Sequence, residues 1–248
     1  MNKTKFLLAI FFLLVLFNRA DSAEKITSTM LQRGGFLSSN DALNTGIIVK
    51  GADDKTIFNK GDVVFVLFRD VTAKIGDRFN VFRVVDEIKH PVTDKKAGVI
   101  IDILGSLEVI EIRRDAAVGR INKTYKEINV GDRLKSFEPP ITEVEIKKAG
   151  KIVYGVVITG LEKRVDSAKG DIVYIDKGKK HGIDAGNVLS VFRPRKDASH
   201  PVTEKDVPLP EKEIGRVIII NAQDDTSSAI ITQSIESIVA GDWVMTAE

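Results

Sequence analysis

Short apolar runs, most of them opened by glycine, set the pattern of this chain. Val63-Val64-Phe65-Val66-Leu67-Phe68 follows Gly61-Asp62, and Ile172-Val173-Tyr174-Ile175 follows Gly170-Asp171. Phe79, Val81 and Arg83 alternate with Asn80 and Phe82; Gly98 opens Val99 to Leu104, and Gly215 opens Arg216 to Ile220. Runs this short, rich in β-branched residues and bounded by turn formers, predict strands, because branched side chains pack well on a pleated surface. Only Tyr125–Val130 and Ser234–Ala240 predict helix, a turn or two each. The expected class is all-β, with about six or seven short strands in each of two units, hence two tandem small barrels or sandwiches.

Duplication is written into the chain. His90-Pro91-Val92-Thr93 returns as His200-Pro201-Val202-Thr203, Val81-Phe82-Arg83 as Val191-Phe192-Arg193, and Gly131-Asp132 as Gly241-Asp242, each 110 residues later. Register kept over a whole unit means one architecture of about 95 residues used twice. The reading divides the chain into an export segment (1–23), a lead-in with at most one short ordered element (24–44), a first unit (45–138), a connector (139–151) and a second unit (152–248). Pro139-Pro140 closes the first unit, since consecutive prolines cannot continue a central strand. The alternating connector 141–151 is expected to be extended. One difference stands out: four residues separate Thr93 from Gly98, but eleven separate Thr203 from Gly215. The excess, including Val207-Pro208-Leu209-Pro210, reads as a docking loop or an idle insertion.

The first residues carry an address. Lys3 and Lys5 precede an apolar run from Phe6 to Phe17, and Ala20, Ser22 and Ala23 follow. That is the layout of a cleaved secretory signal, and the run of about 12 residues is short of the roughly 20 needed to cross a bilayer. No transmembrane anchor is expected after cleavage. Lys3, Lys5 and Arg19 against Asp21 account for the whole chain's formal charge of +2, so the remainder is electroneutral and offers no electrostatic footprint for nucleic acid. Absence of cysteine excludes disulfides, thiolate metal sites and a lipoprotein anchor.

Candidate chemistry is sparse. Each unit has three Gly-Asp or Gly-Asn pairs: 61–62, 76–77 and 131–132, then 170–171, 186–187 and 241–242. Aspartates could bind calcium or act as acids; glycine and aspartate equally serve tight turns, and Asn187 keeps the turn chemistry without the charge. His90 and His200 read either as ligands for a metal or an anionic group or as members of a proline-fixed turn. His181 reads as a surface turn. Arg83 and Arg193 complete the candidate binding residues with Trp243, which reads as a stacking platform or as a partly buried core or interface residue. No nucleophile motif, zinc-protease motif or singled-out carboxylate pair is present. The expectation is no enzyme activity, no catalytic residues, no metal and no cofactor.

The stretches 170–178 and 182–193, the repeated His-Pro-Val-Thr and the closing Ile-x-x-Gly-Asp at 238–242 resemble the tandem C-terminal β-repeats of bacterial envelope proteins that carry an N-terminal LysM domain. More distantly, they are similar to the C-terminal domain of flagellar assembly protein T. The likeness covers roughly residues 45–248 and implies a periplasmic, non-enzymatic part associated with peptidoglycan or an envelope assembly. About twenty residues separate the export segment from the first unit, too few for a LysM domain, so its glycan binding is not carried over. The leading expectation is an exported scaffold or adaptor with an envelope protein partner; the alternatives are a peptidoglycan-binding module and, third, a carbohydrate-active enzyme.

Overall fold

A computed structural model describes residues 35–38, 45–69, 72–113, 116–194, 198–199, 206–207 and 209–247; the expected export segment lies outside them. The regular structure of the described chain is nearly all β and forms two closed six-stranded β-barrels. In the first, β2 (Gly46–Gly51), β4 (Val63–Phe68), β5 (Arg78–Lys89), β6 (Lys96–Arg113), β7 (Ala116–Thr124) and β9 (Arg133–Ser136) close in the order β2-β4-β7-β6-β5-β9. In the second, β10 (Tyr154–Gly160), β11 (Ile172–Ile175), β12 (Val188–Arg193), β15 (Lys212–Ala222), β16 (Ser227–Ser234) and β17 (Trp243–Thr246) close in the equivalent order β10-β11-β16-β15-β12-β17. All these pairings are antiparallel. Small pairs complete the set: β1 (Phe36–Ser38) on β6, β3 (Ile57–Phe58) with β8 (Ile128–Asn129), and β13 (Ala198–Ser199) with β14 (Asp206–Val207).

Alternation puts every second side chain inside. The first interior holds Ile48, Val64, Val81, Leu107, Val109, Ile121 and Leu134; the second holds Val157, Val173, Val191, Val217, Ile219, Ile231 and Val244. These are the same positions taken twice, and each buried aliphatic contributes roughly 1.5–3 kcal/mol relative to exposure.

Three sequence expectations are corrected. Tyr125–Val130 and Ser234–Ala240 are not helical: each is a bend leading into short extended pairing, Ile128–Asn129 against β3 and Ile238 against Ser167. Their apolar spacing serves burial of Ile128 and Ile238 in the two barrels. The expected insertion in the second unit is absent. Val81 faces Gly105 and Val191 faces Gly215, so Gly215 matches Gly105, not Gly98, and the chain lengths agree. A Cβ at Gly105 would run into the Lys123 carbonyl, and one at Gly215 into that of Gln233. The two hairpins reach equally far and differ only in continuity. In the first, β5 and β6 run as one long hairpin to Lys89 and Lys96; in the second, the ladder breaks after Arg193 and Lys212 and pairs again at Ala198–Val207 and Ser199–Asp206, the counterparts of that end. Pro194 and Pro210 flank the break, and proline has no N–H for a ladder.

The connector is not a strand either. Its one ladder contact is a single parallel bridge, Lys147 to Asn187, because Ile141 and Val144 turn onto the second barrel's outer cluster of Ile172, Ile218, Ile220 and Ile230. On the other side β1 lies between the barrels. It pairs with β6 while Leu37 packs among Ile88 and Ile100 of the first barrel and Ile158 and Tyr174 of the second. Thr226 Oγ1 donates to the Leu37 carbonyl, Ser228 Oγ donates to that of Gly35 (3.3 Å), and Lys163 pairs with Asp86.

Candidate functional site

All six Gly-Asp and Gly-Asn pairs build one device. Each glycine is third in a β-turn with φ of 90–95°, a region that costs other residues strain. The fourth residue's N–H closes the turn onto the first residue's carbonyl (2.9–3.2 Å). Its side-chain oxygen accepts the first residue's N–H at 2.7–3.0 Å, in Asp62, Asp77, Asp132, Asp171, Asn187 and Asp242 alike. Each turn then clamps a strand residue by two backbone bonds: the glycine N–H donates to its carbonyl at 2.8 Å, and its N–H donates to the fourth residue's carbonyl at 2.9 Å. The clamped residues are Ile121, Val109 and Ile48, then Ile231, Ile219 and Val157. These carboxylates point at their own backbone. Donation from Asn59 N–H, then from Lys55, holds the Asp62 carboxyl below the usual range.

Arg83 and Arg193 are drawn into the same frame. Each guanidinium grips an aspartate with both prongs, Asp132 at 2.7 and 2.8 Å and Asp242 at 2.8 and 2.6 Å, and each reaches a carbonyl, Glu127 (3.3 Å) or Ser237 (2.7 Å). Bonding to the aspartate raises both guanidinium pKa values above the ordinary one.

His90 sits in its turn as an acceptor: Nδ1 receives the N–H of Val92 (3.2 Å) and of Thr93 (3.3 Å). That network leaves the proton on Nε2, which faces Asp176 Oδ2 of the second barrel at 3.4 Å. His90 is therefore an inter-barrel contact. His181 Nδ1 receives the Gly178 N–H (3.2 Å) in a single 3-10 turn, Lys179–His181. His200 lies outside the described residues.

Trp243 belongs to neither core. It is 45% exposed on the outside of the second barrel, between Val156 of β10 and Phe192 of β12, and Tyr154, 67% exposed, faces Met245 one row along. Five apolar side chains thus share the outer face of three adjacent strands. The first barrel has Arg133 and Lys135 at the places of Trp243 and Met245, and its Phe82 is buried under Phe36.

A cleft of about 380 Å³ opens between the barrels and the connector. The first barrel supplies Asn80, Tyr125 and Lys135, the connector Lys147, and the second barrel Lys179 and Gln223. None of these residues belongs to a sequence motif, and Tyr125 opens a stretch whose spacing predicts helix. The signal that marks them is divergence between matched positions, Lys135 against Met245 and Tyr125 against Ile235.

No model of a known family and no curated protein matches this chain. Among the described residues, no group of three His, Asp or Glu side chains is placed to hold a metal ion, and no helix is long and apolar enough to cross a membrane.

Proposed function

We propose that this protein is an exported, non-enzymatic scaffold or adaptor of the cell envelope that binds an envelope protein partner. One observation carries the reading: among the described residues, the repeated Gly-Asp and Gly-Asn pairs and Arg83 and Arg193 are spent on turns and internal ion pairs, while the second barrel exposes Tyr154 and Trp243 beside the half-buried Phe192 and Met245. Exposed apolar patches rich in aromatic residues mark protein-binding surfaces, because large rigid rings gain contact area at low entropy cost. The apolar run near the start and the envelope-repeat resemblance support a periplasmic or otherwise exported location. A photoreactive side chain at position 243 in cells tests the reading. A defined crosslinked species is expected, lost with Tyr154→Ala and absent when the probe sits at position 133. Turnover of a cell-wall substrate abolished by one substitution would overturn it.

Peptidoglycan binding remains the second reading, favoured by two exposed rings, Tyr154 and Trp243, on one face, an arrangement suited to stacking on sugars. Sedimentation with isolated sacculi separates the two: protein left wholly in the supernatant removes the glycan reading, and co-sedimentation lost with Trp243→Ala establishes it.

A further inference from the structure

We infer that the cleft between the barrels is a binding site for an acidic peptide, whose carboxylate takes the Lys135 ammonium from Glu138. Lys135 and its ion-pair partner are unequally buried. The Lys135 side chain is only 6% exposed, yet its ion-pair partner Glu138, at 2.9 Å, is 66% exposed. Its amine also lies 4.8 Å from the centre of the Phe36 ring. A buried ammonium needs a close counter-ion, and one standing mostly in water is held weakly and is readily displaced.

The duplication supplies an internal control. The matching position of the second barrel carries Met245, in the same strand register. The barrel accepts an apolar side chain there, so its folding does not call for the ammonium. Tyr125 at the cleft likewise corresponds to Ile235.

Charge and polarity then select the ligand. Lys147 is matched by Asp184 (3.6 Å) and Lys135 by Glu138, while Lys179 has no ion pair among the described residues. A ligand bringing negative charge satisfies that surplus. The amides that would read sugar hydroxyls are engaged inside the protein: Asn80 Nδ2 donates to the Glu138 carbonyl (2.9 Å), and Gln223 Nε2 donates to Asn221 Oδ1 (2.8 Å). The remaining walls, with Phe36, Ile103 and Ile141, suit aliphatic side chains. About 380 Å³ lies within the roughly 300–1,000 Å³ usual for small-ligand sites. The site is separate from the Trp243 face, so either can fail alone.

The test titrates the full folded chain, its lysine side chains carbon-13 labelled, with N-acetyl-Leu-Glu-Leu amide, its Gln counterpart and N-acetylmuramic acid. The Glu peptide is expected to move the Lys135 and Lys179 signals, with the Gln peptide silent. Lys135→Met, which copies Met245, is expected to fold and to weaken binding at least about tenfold, the loss of one charge-assisted hydrogen bond. Lys179→Gln on the exposed rim, which leaves the core untouched, is expected to weaken it less. Silence at millimolar Glu peptide, or equal affinity in Lys135→Met, overturns the proposal. Movement with N-acetylmuramic acid alone replaces the peptide by a sugar and overturns it too.

Discussion

Arg83 and Asp132 meet in a two-pronged ion pair, Nε to Oδ1 at 2.7 Å and Nη2 to Oδ2 at 2.8 Å, and the same carboxylate caps its own turn at Asn129 N–H (2.7 Å). One side chain therefore ties a strand to a turn. Asp132→Ala removes both functions and leaves an unpaired guanidinium, so a loss of about 2–3 kcal/mol is expected. Asp132→Asn keeps the cap, as Asn187 does in its own turn (2.8 Å), and is expected to cost about 1 kcal/mol, because the arginine is partly in water. Urea unfolding measures both; equal midpoints for the two variants would show that the cap, not the ion pair, carries nothing extra.

Leu37 links the barrels through its contacts with Ile88, Ile100, Ile158 and Tyr174. Leu37→Ala is expected to cost about 2–4 kcal/mol of inter-barrel packing and to separate two transitions in calorimetry. A single unshifted transition would contradict the strap role of β1.

Tyr174 gives a pH signature. Burial raises its phenol pKa well above the ordinary 10.0. Above that pH the unfolded chain releases a proton that the folded chain keeps, so stability is whole below about pH 10 and falls as pH rises beyond it. Tyr174→Phe is expected to flatten that fall. Parallel curves for the two proteins from about pH 9 to 11 would mean that the hydroxyl reaches water in the fold.

Fragments test the connector. Residues 152–248 are expected to unfold cooperatively with about 5 kcal/mol or a little more. Adding 139–151 brings Ile141 and Val144 onto the outer cluster and the Lys147–Asn187 bridge, for a gain of about 1–3 kcal/mol. Matching denaturation midpoints would show that the connector adds nothing to the second barrel.

The strands and turns were legible because their causes are local. Branched residues in Val63–Phe68 and Ile172–Ile175 favour the pleat, and Gly-Asp places positive φ and a side-chain acceptor side by side. Asn187 in place of aspartate already pointed to turns. Misreadings arose where distant contacts prevail. Tyr125–Val130 carries apolar residues at a spacing that fits a short helix, but Ile128 is drawn into a barrel core. Gly98 mimics the start of β15 in composition, whereas the 110-residue offset points to Gly105, and cross-strand register makes it the partner of Gly215. The cleft was invisible because Lys135, Tyr125, Lys147 and Lys179 are far apart in the chain and carry no motif.

The sequence by itself determined an all-β chain built twice from one plan, since periodicity, turn chemistry and a 110-residue offset depend on neighbours along the backbone. Tertiary structure alone decided that Arg83 and Arg193 are locked internally, that His90 touches the other barrel, that β1 lies between the barrels, and that three lysines border one cleft. Those outcomes depend on how closed sheets stack and which charges their packing brings together, a matter of distance in space.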